Sequence, residues 1–211
     1  MSDNKLSKIL YDKVSEVLDN MKNNPDSVTD EDRSKLNSLY SKLCKGLGIS
    51  EHSQWRVEWQ VEKWFDTARK LAGFDPDDIA YDTQNIILDN GATEMLNLIT
   101  GRGGTQFSEA NSYIYVGTNN TAEQASQTGV IATDGQRASA KMDSGYPSVD
   151  GRQMVYRATF SDTQANFAWR EVAITNGTGV GSIAMNRKVA NLGTKETGTW
   201  TVQVTISLVS A

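Results

Sequence analysis

Glu171, within the stretch "WREVAI", and four aspartates, Asp134, Asp143, Asp150 and Asp162, are the side chains best suited by type to acid–base work. Hydrolysis needs two carboxylates, or a nucleophile with its base, converging at strand or loop ends. Glu171 has no partner acid in its stretch, and an acid between Arg170 and Val172 is expected to pair across strands or to face solvent. Each aspartate sits beside Gly, Ser or Thr, where a carboxylate commonly bonds its own backbone in a turn. "DSGYPSVDG" offers oxygens to calcium but lacks the alternating acids and closing glutamate of an EF-hand loop. "GTGVG" at 177–181 and "GRGG" at 101–104 join no strand to a long helix and precede no Gly-Lys-Ser/Thr, so hairpin turns are expected instead of phosphate cradles. Cys44 and His52 are each the sole residue of their type, which excludes an intrachain disulfide and a Cys/His zinc site. Cys44 is expected to be a small buried hydrophobe and His52 an exposed or capping residue. No catalytic residue, cofactor or metal is expected.

The elements that must position any site fall into two halves. Residues 1–85 carry sixteen acidic and twelve basic side chains with three glycines, whereas residues 86–211 carry ten and nine with fourteen glycines. The net charge of −5 and the lack of a Lys/Arg cluster argue against nucleic acid as a partner. "MSDNKLSKIL" is charged and leads into no long apolar run, so neither a signal peptide nor a membrane span is expected. Folding in a reducing cytoplasm follows.

Leu6, Ile9, Leu10, Val14, Val17, Leu18 and Met21 recur at helical steps, and Leu36, Leu39, Tyr40, Leu43 and Leu47 form a second such stripe. A third helix is expected over about 51–71, carrying Trp55, Trp59 and Trp64. The fold class expected is α+β: a helical bundle (1–73), a linker (74–85) and an antiparallel β-sandwich of jelly-roll form (86–211). The sandwich rests on alternation. In "WTVQVTISL", Trp200, Val202, Val204, Ile206 and Leu208 share one face, and in "RQMVYRATF" Met154, Tyr156, Ala158 and Phe160 do so. One helix, "NGATEMLNLITG", is expected to turn Met95, Leu96 and Ile99 inward and to end before Gly101. Three tryptophans on one short helix exceed what a small bundle needs, which makes Trp55, Trp59 and Trp64 candidate protein-interface residues.

The order "NIILDNGATEMLNLITG", "SYIYVGTNNTAEQASQTGV", "FAWREVAITNG", "GSIAMNRKV" and "GTWTVQVTISL" resembles the β-domain of tailed-bacteriophage structural proteins, tail-fibre-like and capsid-decorating. The resemblance covers about residues 85–211. It implies a non-enzymatic virion protein, assembled in the bacterial cytoplasm, whose helical half anchors to capsid, neck or tail proteins while the β half is displayed. It also implies a homo-oligomer, with a trimer as the first guess. The polar run Thr118–Thr128 would then carry the chain between strands. The alternative is a carbohydrate-binding module for a host surface glycan, with Tyr113, Tyr115, Tyr146 and Trp169 as stacking rings.

Overall fold

The computed structural model describes Thr29 and residues 53–210. The first two expected helices, Cys44 and His52 lie outside the described residues. Of the two compact units into which the chain divides, Trp55–Leu208 is the sandwich, and Met1–Gln54 with Val209–Ala211 is the other.

The elements run β1 (Ser53–Trp64), α1 (Thr67–Leu71), β2 (Asp78–Thr83), β3 (Ile86–Ile87), α2 (Asp89–Ile99) and β4 (Tyr113–Gly117). They continue with β5 (Arg137–Lys141), β6 (Ser148–Asp150), β7 (Gln153–Phe160), β8 (Ala168–Thr175), β9 (Asn186–Thr194) and β10 (Thr199–Ser210). One sheet has the order β2-β1-β10-β7-β6 and the other β3-β9-β8-β4-β5. The two sheets enclose a core into which β10, β7 and β1 turn their alternate apolar residues, facing those of β4 and β8.

The helical expectation fails at β1. Trp55 and Trp59, four residues apart, suit a helical stripe, but four is also a multiple of two, whereas Trp64, five residues on, falls on the opposite face of a strand. Val57 decides between them, because it would lie on the far side of a helix yet shares the buried strand face with Trp59 and Val61. Arg56, Glu58, Gln60 and Glu62 take the other face. The expected third helix therefore survives only as α1, capped by Asp66, whose side chain accepts from the Ala68 N–H at 2.9 Å. The α+β class is thus overturned for the described residues, which are mostly β with two short helices. β2 also occupies part of the expected linker, pairing with β1 from Glu58↔Thr83 to Lys63↔Asp78.

The strand order departs from a jelly roll too. β1–β2, β4–β5, β6–β7 and β8–β9 are sequential antiparallel neighbours, and the chain changes sheet only after β2, β5, β7 and β9. In α2, Met95 packs toward the core, but Leu96 and Ile99 are 62% and 79% exposed. The helix docks through Gly91, where a Cβ would collide with the carbonyls of Met185 and Ala184, so the inward face follows 91 and 95. "GRGG" closes this helix instead of turning a hairpin.

Three indoles give the core its centre. Trp169 meets Phe160 and Trp200 edge to face at 4.8 and 4.9 Å. Lys63 reaches in from β1 over the Trp200 ring at 5.0 Å and pairs with Asp78 of β2 at 2.7 Å. Because β1 sits between β2 and β10, a fragment of residues 86–211 lacks the strand that supplies Trp59 and covers Trp200. That fragment is expected to show no cooperative thermal transition by circular dichroism, whereas a 53–210 fragment melts cooperatively with a β-type spectrum. Cooperative melting of the shorter fragment would refute the placement of β1.

Candidate functional site

β4 buries Ile114 and Val116 in the core, so Tyr113, Tyr115 and Gly117 face outward from the second sheet. Register places Lys141, Ser139 and Arg137 of β5 on one side of them, and Thr175, Ala173 and Glu171 of β8 on the other. Glu171 on that outer face is nevertheless fully buried, because the 118–136 connection folds over it. Its carboxylate accepts the successive N–H groups of Ile131 and Ala132 at 3.1 and 2.8 Å. Arg187 of β9, also fully buried, brings Nε and Nη2 each to 2.8 Å from Glu171 Oε2. The remaining Arg187 nitrogen, Nη1, donates to the Thr121 carbonyl at 3.0 Å and to Gln127 Oε1 at 2.9 Å. Glu123 completes the attachment by accepting from the Val189 N–H at 2.6 Å, serving β9 where a neighbouring strand would.

Gly117 makes this approach feasible. A Cβ there would stand 2.6 Å from Glu171 Oε1 and 2.7 Å from a Val130 methyl. The polar run thus binds the sheet, through the Thr121 carbonyl and the Gln127 and Glu123 side chains, as well as carrying the chain onward. Of the two expected settings for Glu171, the structure shows the cross-strand pair: it does not face solvent, and its partner is Arg187 of the neighbouring β9.

Beside the stapled connection the outer face stays open. A cleft of about 340 Å³ lies between residues 128–130 and the 177–182 turn, with Tyr115, Thr175 and Arg137 in its lining. The turn is braced: Thr175 Oγ1 donates to the Gly177 carbonyl and Ser182 Oγ to that of Gly179, both at 2.7 Å. Among the described residues the Arg137 side chain bonds only Asp134, through Nε at 3.0 Å and Nη2 at 2.6 Å, and both side chains are exposed.

A second polar cluster lies on the outer face of the first sheet. Lys70 of α1 stands over the Trp64 ring at 4.8 Å and donates to Thr201 Oγ1 at 2.5 Å and Thr159 Oγ1 at 3.3 Å. Thr159 donates to Asp143 at 2.9 Å, and Arg157 bonds Glu62 at 3.2 Å. Burial pulls the Lys70 ammonium below its usual range. Every member of this cluster is spent joining α1 and β1 to β7 and β10, so it pins the cap over Trp64.

Of the candidate interface residues, Trp59 and Trp64 are buried, the latter donating Nε1–H to the Phe74 carbonyl at 2.8 Å. Trp55 alone is substantially open, at 40%. Among the aromatics considered for stacking, Trp169 is in the core and Tyr146 packs against it, which leaves Tyr113 and Tyr115. Asp134 meets Arg137, and Asp150 is exposed at the end of β6. Asp162 accepts from Thr197 Oγ1 at 2.7 Å and the Gly198 N–H at 2.5 Å, and these bonds hold its carboxyl below the usual range. No group of three His, Cys, Asp or Glu that could hold a metal occurs among the described residues. No helix among them is long and apolar enough to cross a membrane. Sequence reasoning missed Arg187, which the register of β8 and β9 sets diagonally from Glu171, two residues before its partner Val189.

Removing one member of a buried ion pair leaves the other charged without a partner, at a cost of about 3–5 kcal/mol. Glu171→Gln is expected to cost that much in urea unfolding, and Glu171→Leu combined with Arg187→Met less than the two single changes summed. Additive losses would show that the pair is uncoupled. At the opposite turn, a carboxyl depressed in the folded state contributes stability above its unfolded pKa, lost as pH falls through the folded one. Thr197→Val is therefore expected to raise the Asp162 titration midpoint followed by NMR, and an unchanged midpoint would remove Thr197 as the cause. Comparison with protein-family models, curated proteins and solved structures found no match to this chain.

Proposed function

We propose that this chain is a non-enzymatic structural protein of a tailed-phage particle, with residues 1–54 attaching it and the sandwich held outward as a decoration, fibre or neck element. The observation that carries this reading is where the chain enters and leaves the sandwich. Gly198 abuts the Trp64 carbonyl, and Thr67 Oγ1 lies 2.8 Å from Thr199 Oγ1, so the end of β1 meets the start of β10. The two adjacent strands therefore run antiparallel, and residues 54 and 209 leave from the same end. Attachment through that end frees the opposite one, formed by α1 and the turns at 161–167 and 195–198.

Those turns suit display because they are cross-bonded. Besides the Asp162 bonds, Lys195 donates to Asn166 Oδ1 at 2.6 Å and to the Asp162 carbonyl at 3.2 Å. The engagement of both Glu171 oxygens by amides and Arg187 supports a non-enzymatic role, since the acid best placed for chemistry has no oxygen left for a substrate. Assembly as a homo-oligomer, with a trimer first, belongs to the same proposal.

Electron microscopy of intact particles from the virus encoding this chain is expected to locate residues 55–208 projecting from the surface, with light scattering giving a multimer in solution. A strictly monomeric chain that fails to sediment with particles would overturn the reading.

A further inference from the structure

We propose that the cleft on the outer face of the second sheet binds an acidic oligosaccharide, with Tyr115 as the stacking ring and Arg137 as the partner of a sugar carboxylate. The inference stands on the cleft and needs no particular place in a particle.

Four observations carry it. Tyr115, Thr128 and Thr178 all line the cleft, and their hydroxyls, able both to donate and to accept, have no hydrogen-bond partner among the described residues. Ala173 of β8 and Ser139 of β5 lie directly opposite Tyr115, so both positions across from its ring carry small side chains. Arg137 at the rim is held only by Asp134, whose side chain is 90% exposed, and an exposed pair of that kind is worth about 0–1 kcal/mol. A ligand carboxylate, bonded in bidentate fashion, can therefore replace it. The volume of about 340 Å³ falls at the small end of ligand sites, which span about 300–1,000 Å³, and suits one or two sugar rings.

The face continues beyond the cleft in the same chemistry. Tyr113 lies two residues from Tyr115, and Lys141, opposite Tyr113, has no ion-pair partner among the described residues. Arg137 and Lys141 are four strand residues apart, about 13 Å, so a second carboxylate further along one polymer has a cation waiting for it. That spacing selects an oligosaccharide with repeated acidic units over a lone monosaccharide. Both walls are set before a ligand arrives, one by the Glu171 staple and the other by the Thr175 and Ser182 bonds.

The test titrates the full chain calorimetrically with oligogalacturonate, oligoalginate, oligosialic acid and, as a neutral control, a dextran oligosaccharide. At least one acidic oligomer is expected to bind tenfold or more tightly than the dextran, and more weakly as salt is raised. Tyr115→Ala and Arg137→Gln should each weaken that binding at least tenfold, the exposed Arg137 change with the melting temperature unchanged and the half-buried Tyr115 change with the β-type circular dichroism spectrum retained. Lys141→Gln should weaken only the longer oligomers. Silence towards every acidic oligomer, equal binding of dextran, or variants that bind like the parent would each overturn the site. If microscopy still places the chain on particles in that event, only the sugar site falls.

Discussion

A carboxylate on the outward face of a sheet ordinarily sits in water, and removing it from water costs several kcal/mol unless partners replace the solvent. Glu171 and Arg187 are both outward on the second sheet and both dry, so the structure has to supply those partners from elsewhere in the chain. It does so with the connection between β4 and β5, which lends the amides of Ile131 and Ala132 to the acid and the Thr121 carbonyl and Gln127 side chain to the base. The path of that connection then follows. It must cross the outer face close to Gly117, the one position on β4 where no side chain obstructs it.

This explains why the connection is polar without being loose. Thr118, Asn119 and Gln127 bond within the connection, and Gln127 also serves the ion pair. Gln127 accepts from the Gln124 N–H at 3.0 Å, donates to the Ala122 carbonyl at 3.1 Å and also receives Arg187. A hydrophobic cover over the same strands would have been simpler energetically, since buried ion pairs seldom exceed apolar packing in stability. What the ionic arrangement adds is one register: the connection fits only where two amides meet one carboxylate. The wall of the cleft at 128–130 inherits that register, which links the buried pair to the proposed sugar site.

The first sheet solves the opposite problem. Its inner face is rich in indole, and Trp59, Trp200 and the Lys63–Asp78 pair bind β1 and β2 to the body of the sandwich. Its outer face is shielded near Trp64 by α1, through Lys70 and the paired hydroxyls of Thr159 and Thr201 at 3.0 Å. Thr201 is buried there although alternation assigns it to the solvent side. In both sheets, then, a polar outward residue is buried because a segment remote in sequence lies on top of it.

Alternation by itself established the inner faces of β7 and β10, residue by residue from Met154 to Phe160 and from Trp200 to Ile206, because side chains in any extended strand must switch sides. Leu208 marks where that rule ends, since the face persists while the cover does not, and it is 39% exposed. The same rule applied to "QWRVEWQVEKW" identifies β1, but the four-residue step from Trp55 to Trp59 satisfies helix and strand alike, and the neighbours that select the strand, β2 and β10, are found only in the fold. The sequence also carries Glu171 and Arg187 plainly as charges. That they are dry, paired and covered was decided by tertiary structure alone, because burial of an outward face depends on where a segment forty residues away, at Ile131, comes to rest.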